Sequence, residues 1–350
     1  AAGNWSSSGS RTIVIDNTAP TVTLTDDHSD LRVKDADNVV ITATFNDNMT
    51  SAPTISIDVA VGTDADISAT AMSGSGTTWT YTFDVPSGHD GNATVTVAGT
   101  DVAGNAYAGS DTIVYIIDNT APNVTLTDDH SDLKVKDADN VVITATFDES
   151  MTSAPTISID VAVGTDADIS ATAMSGSGTT WTYTFDVPSG HDGNATVTVA
   201  GTDVAGNAYA GSDTIVYIID NTAPTQTVSS VSLSADTGTS STDEITKTAS
   251  QTISGTLSGA LASGDILYGS VNNGSSWTDI TSKVSSDTAI SWNGATLSGS
   301  DNIVFKITDA AGNDSSTTGS TAYVLDTTAP TLTVSSVSLS ADTGTSSTDE

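Results

Sequence analysis

Four aspartates stand at the head of one short phrase. Asp16, Asp118 and Asp220 begin DNTAP and Asp326 begins the variant DTTAP, while DVAGN at 101–105 and 203–207 and DAAGN at 309–313 each hold an aspartate four residues before an asparagine. Carboxylate, amide and backbone oxygens gathered without sulfur or paired imidazoles suit a hard cation. Ca²⁺ takes about six to eight oxygen ligands and fits that donor set.

The rest of the composition agrees with a cation as partner and excludes others. Among 350 residues there are 43 acidic and 8 basic ones, a formal charge of −35, so a polyanion such as nucleic acid is not expected to bind. No stretch approaches the roughly 20 apolar residues that span a bilayer, so no membrane insertion is expected from these residues. Cysteine is absent, which removes disulfides and thiolate metal sites. GxSxG, GxxxxGK[ST] and GxGxxG are all missing, and catalytic carboxylates need opposed environments in a cleft, so the chain is not expected to be an enzyme.

The aspartates that open the phrase are spaced by 102, 102 and 106 residues. Segments 16–117 and 118–219 align without a gap and differ at five positions only: Thr21/Asn123, Arg32/Lys134, Asn46/Asp148, Asp47/Glu149 and Asn48/Ser150. Segment 220–325 is a second type, which 326–350 restarts, and 1–15 reads as the last strand of a preceding domain. A period near 100 residues suits a small domain with its own core rather than a solenoid turn.

Alternation of β-branched and aromatic residues with polar ones predicts strands at 21–25, 39–45, 54–59, 66–71, 79–85, 93–99 and 111–117. In WTYTFDV the residues Trp79, Tyr81, Phe83 and Val85 share one parity, as on a sheet with one buried face. Turn formers separate the runs, including GTD at 62–64. Seven short strands in about 100 residues predict an all-β chain of tandem immunoglobulin-like sandwiches forming an extended rod. In the second type, VNNGS at 271–275 reads as a tight hairpin turn.

DNTAP at the boundaries with DVAGN or DAAGN ahead of the last strand resembles the tandem bacterial Ig-like domains of very large secreted adhesins. The second type, with SLSADTGTSSTDEIT and DILYGSVNNGSSWTDIT, is similar to the extender repeats of RTX-type adhesins exported by type I secretion. The resemblance implies an extracellular, cell-attached array, rigidified by calcium, that carries a distal binding domain in adhesion or biofilm formation. The partners implied are calcium, neighbouring Ig-like domains of the same chain, and a host or environmental surface reached through domains elsewhere.

Sandwich topology alone also says which loops meet. The start of the first strand shares one pole, here called upper, with the second–third, fourth–fifth and sixth–seventh loops; the remaining loops and the end of the last strand share the lower pole. Asp118 is then expected beside Asp203 and Asn207, near Asp148 or Glu149, and facing Asp90 on the lower pole of the domain before. By the same placement Asp16 joins Asp101 and Asn105, and Asp220 joins Asp309 and Asn313. Carboxylates converging without basic partners repel one another, and a bound Ca²⁺ would relieve that repulsion and restrain the joint. The acidic loops at 26–30 and 128–132, and Asp236 with Asp243 in the second type, fit either a second calcium site or a solvated acidic rim.

His28, His89, His130 and His191 lack zinc-site spacing and read as surface residues. Trp79 and Trp181 read as core. Two functions of different class remain: a structural extender stiffened at its joints, and Ig-like repeats that themselves bind glycans or neighbouring filaments.

Overall fold

A computed structural model describes residues 9–60, 65–162 and 167–337. The turn expected at 62–64, the first eight residues of the expected leading strand, and the restarted module beyond 337 lie outside the described residues. The chain divides into two compact units, residues 1–133, 140–186 and 193–217, and residues 134–139, 187–192 and 218–350.

The first unit opens with nine strands: β1 Val22–Asp26, β2 Arg32–Val33, β3 Asn38–Phe45, β4 Thr54–Val59, β5 Ile67–Ala71, β6 Ser73–Ser75, β7 Thr78–Asp84, β8 Gly91–Ala98 and β9 Ile113–Ile117. They form two sheets, in the orders β1-β3-β7-β6 and β2-β9-β8-β4-β5. Alternation decides which face is buried. Val39, Ile41, Ala43 and Phe45 of β3 are buried, as are Ile55, Ile57 and Val59 of β4 and Tyr115 and Ile117 of β9. Each large side chain of this kind contributes about 1.5–3 kcal/mol of burial free energy. On β7, Trp79 and Phe83 are buried and Tyr81 is half-buried, and Val85 follows in the same phase.

Each of the seven expected strands is present to within about two residues. The two additional ones carried no periodic signal: Arg32–Val33 is too short to alternate, and Ser73–Ser75 is exposed throughout. The short β2 has a structural role, because it leaves the first sheet's β1 behind and pairs parallel with β9 through Arg32↔Ile116 and Val33↔Ile117. The expected leading strand is not formed among the described residues. Residues 9–21 carry no strand, and Ile13, Val14 and Ile15 are about 80% exposed.

The same pairings recur one period later in this unit. Val124–Asp128 pairs with Asn140–Phe147, which pairs with Thr180–Asp186, and Thr156–Val161 pairs with both Ile169–Ala173 and Gly193–Ala200.

The second unit holds the remaining sandwich. Its sheets run Val228–Leu233, Ser250–Leu257, Ala289–Thr296, Val284–Ser285, and Ile245–Thr246, Thr318–Leu325, Ser300–Thr308, Ile266–Ser270, Thr278–Asp279. Asn273 and Gly274 both take positive φ, as a turn of this kind requires, but the strands pair at Gly269↔Thr278, so the turn caps a longer loop rather than a two-residue hairpin. Trp292 is buried edge-on to Phe305, and Trp277 is half-buried under the Lys306 ammonium.

Candidate functional site

The upper pole of each sandwich is built from backbone before any carboxylate is placed. In the first domain the 46–53 and 99–112 loops are joined by the bridge Met49↔Asp101 and by Val102 N–H donating to Asn48 O at 3.0 Å. In the second domain Met151↔Asp203 makes the same join. The DxAGN turn is closed by Gly104 and Gly206, both at positive φ, whose N–H groups donate to Asp101 O and Asp203 O. The aspartate heading each turn is buried, Asp101 1% and Asp203 0% exposed.

At the second domain three carboxylates converge. One oxygen each from Asp118, Glu149 and Asp203 lies within 4.8 Å of the others, the one such group of three acids or histidines among the described residues. Burial, together with the charges of Asp118, Asp203 and Asp148 and a hydrogen bond with Asp118, pushes the Glu149 carboxyl up to about 7. A raised carboxyl amid carboxylates is the electrostatic signature of a site lacking positive charge. The donor set fits Ca²⁺: all-oxygen, anionic and partly exposed, with Asp118, Glu149 and Asp203 as the residues that would hold the ion.

The neighbouring Asp148 behaves differently. Its side-chain hydrogen bond from Asn123 Nδ2 at 2.9 Å and the bond from Asn123 N at 2.7 Å hold its carboxyl below the usual range and direct it to the chain rather than the cluster.

The other expected ligands fall into three groups. Asp16 and Asp101 line one depression with Asp47, and Asp220 and Asp309 line another with Asp265, but neither set closes to the spacing of the second domain. Asn105, Asn207 and Asn313 were expected to lend oxygens. The structure instead turns their amide nitrogens toward the acids: Asn207 Nδ2 donates to Asp203 Oδ2 at 3.0 Å and to Asp118 O at 2.9 Å, with matching bonds from Asn105 and Asn313. Through these bonds the asparagine nitrogens hold the aspartates in position.

Asp90 was expected to face Asp118, and its partners are the next two residues instead. Its oxygens accept from Asn119 N at 2.6 Å and Thr120 Oγ1 at 2.7 Å, and these bonds lower its carboxyl's pKa. Asp236 Oδ2 accepts from the backbone N–H groups of Asp243 and Glu244, and its Oδ1 is buried with no partner. Asp243 Oδ1 bonds Ile245 N. The acidic loop at 26–30 spends its carboxylates on its own backbone, Asp26 on His28 N and Asp30 on Arg32 N, which matches a solvated rim better than a metal cage.

One residue of the joint escaped sequence reasoning. Asn119, read as a turn former, donates through Nδ2 to Pro86 O and His89 O and accepts from Asp35 N, clamping the linker to the lower pole of the domain it leaves. Asn221 repeats all three bonds one period later with Pro188, His191 and Asp137. Only its recurrence in the boundary phrase hinted at this role.

Among known proteins, the bacterial Ig-like domain (group 3) family model matches residues 77–178, 179–275 and 286–348. The first two matches begin just ahead of Thr78–Asp84 and Thr180–Asp186, so each takes the end of one sandwich and the start of the next. No curated protein matches. Among solved structures, the chain is similar to a tetra-tandem repeat in the extending region of a large adhesion protein. The identity is 22%, with 90% of this chain and 76% of that one covered and a TM-score of 0.31. It is also similar to dimeric latent PorU from Porphyromonas gingivalis, at 11% identity with 88% and 34% covered and a TM-score of 0.21. With three tandem matches covering most of its length, the chain belongs to the bacterial Ig-like domain (group 3) family.

Proposed function

We propose that this chain is a structural extender of a large bacterial surface adhesin, whose domains act as spacers and whose joints are stiffened by calcium. The observation that carries the reading is the Asp118, Glu149 and Asp203 cluster at the start of a domain, where the chain passes from one sandwich to the next. A cation there ties Asp118 of the linker to the 203–207 turn and the 148–150 loop, so binding energy is converted into restraint of the joint. Near-identical repetition supports the same reading, since a spacer gains length from copies whereas an active site gains little. The array would work outside the cell, after export, with its adhesive domain elsewhere in the protein. Extracellular modules bind calcium at about 10⁻⁴ to 10⁻³ M, so the joints would stiffen on reaching a calcium-rich medium.

Glycan recognition by the repeats themselves has less support, because Trp79, Trp181 and Trp292 are buried and Trp277 is covered on one face by Lys306. Small-angle scattering of the chain in millimolar calcium and then in chelator tests the proposal. A maximum dimension that is well defined with calcium and an ensemble that broadens without it are expected. Superimposable profiles would contradict calcium stiffening.

A further inference from the structure

The chain has only eight basic residues, and three of them, Lys34, Lys136 and Lys247, occupy one register position. Each directly follows the short strand that runs parallel to its domain's last strand: Arg32–Val33, Lys134–Val135 and Ile245–Thr246. In each case the residue just before the lysine accepts a backbone bond from the boundary aspartate, Asp118 N to Val33 O, Asp220 N to Val135 O and Asp326 N to Thr246 O, all at 2.9 Å. A lysine is therefore carried to the lower pole beside the boundaries at Asp118, Asp220 and Asp326.

Both lysines that have a complete domain after them reach the same atom of it. Lys34 Nζ donates to the carbonyl of Gly206, the glycine of DVAGN, and Lys136 Nζ donates to the carbonyl of Gly312, the glycine of DAAGN. Those glycines sit at φ +92° and +86°, a conformation other residues adopt only with strain, and a Cβ on either would come within 3.2 Å of the lysine's Nζ. Gly104 offers a comparison within the molecule: it has the same conformation at φ +97°, and nothing lies within 4 Å of where its Cβ would be.

We propose that this lysine is a latch: the lower pole of each domain recognises the positive-φ glycine loop of a following sister domain through an ammonium–carbonyl bond, and thereby sets the joint's orientation without any metal ion. The ammonium donates to a neutral carbonyl oxygen and competes for no carboxylate of the Asp118 cluster. It acts beside the Asn119 clamp, which holds the linker to the preceding domain only. Lys247 holds the same register position beside the boundary at Asp326. That boundary has Thr327 where Asn119 and Asn221 stand. The latch shares with the proposed function only the premise that consecutive domains hold a set relation.

The absence of native cysteine allows a direct test in the full chain. Spin labels at Ala69→Cys and Ala171→Cys, both exposed strand positions, report the distance distribution between the first two domains. In chelator, Lys34→Met is expected to broaden that distribution roughly twofold relative to the parent, because a charge-assisted hydrogen bond is lost. Lys34→Arg, which keeps a donor and the charge, restores most of the width. Gly206→Ala, which attacks from the acceptor side, broadens it as well. Lys136→Met leaves this label pair unchanged. Equal widths for the parent and Lys34→Met in chelator would overturn the latch. The calcium reading depends on a separate contrast, calcium against chelator within Lys34→Met, so either idea can fail alone. Melting curves of each variant establish that the domains remain folded.

Discussion

The first two domains are one module copied, yet their upper poles are not equivalent. Four of the five positions at which they differ lie in that region: Thr21/Asn123, Asn46/Asp148, Asp47/Glu149 and Asn48/Ser150. In the first domain Asn46 Oδ1 accepts from Thr21 N at 2.7 Å, a single neutral bond. In the second, Asn123 supplies both N and Nδ2 to the Asp148 carboxylate. The two changes are a matched pair that adds a charge and supplies the donor that stabilises it. Beside it, Glu149 is one methylene longer than Asp47, and only the longer side chain completes a group of three carboxylates. A few loop substitutions therefore change how many carboxylates the upper pole gathers.

The comparison can be broken most severely at Asp203. If the calcium reading proposed above holds, Asp203→Asn should reduce calcium affinity at the second domain by roughly tenfold or more, since it removes a buried carboxylate from the cluster, while Asp101→Asn should cost less because its carboxylates do not close. Calorimetric titration of each variant would show this, and equal losses would remove the distinction. Exchanging the two acids should sharpen it. Glu149→Asp should weaken calcium binding severalfold, and Asp47→Glu should strengthen it at the first domain.

Proton linkage gives a third test. With Glu149 raised to about 7, the metal-free folded chain holds a proton from about pH 4.5 to 7 that the unfolded chain has released. Metal-free stability contributed by this group therefore falls as pH rises across that window and is constant above it. Calcium must displace the same proton, so affinity should rise with pH up to about 7, and titration at pH 6 in buffers of different ionisation heat should reveal proton release. An affinity independent of pH between 5.5 and about 7.5 would contradict the raised carboxyl. The smallest effect is expected at Asn123→Thr, which strips one side-chain donor from Asp148. It should lower stability by at most about 1 kcal/mol, read as a small shift in melting temperature, and leave the first domain's transition in place.

Much of this arrangement was legible before any coordinates. Strict alternation in NVVITATF and WTYTFDV located the strands because a period of two leaves no choice of buried face. Topology then brought Asp118, Glu149 and Asp203 to one pole although they are far apart in sequence. What stayed hidden depends on side-chain direction and on neighbours. Nothing in DVAGN says that Asn207 turns its nitrogen toward Asp203, because either end of an amide fits the same spacing. Nor does DNTAP say that Asn119 reaches back to Pro86 and His89, or that Lys34 reaches forward to Gly206, since the first contact needs the folded lower pole of the preceding domain and the second the glycine loop of the following one.

The most direct measurement is calcium titration of the full chain by calorimetry, run in parallel on the parent and on Asp203→Asn. The account predicts saturable binding in the range of about 10⁻⁴ to 10⁻³ M, with the tightest site lost in the variant. Absence of saturable binding, or isotherms that do not differ between the two proteins, would contradict it.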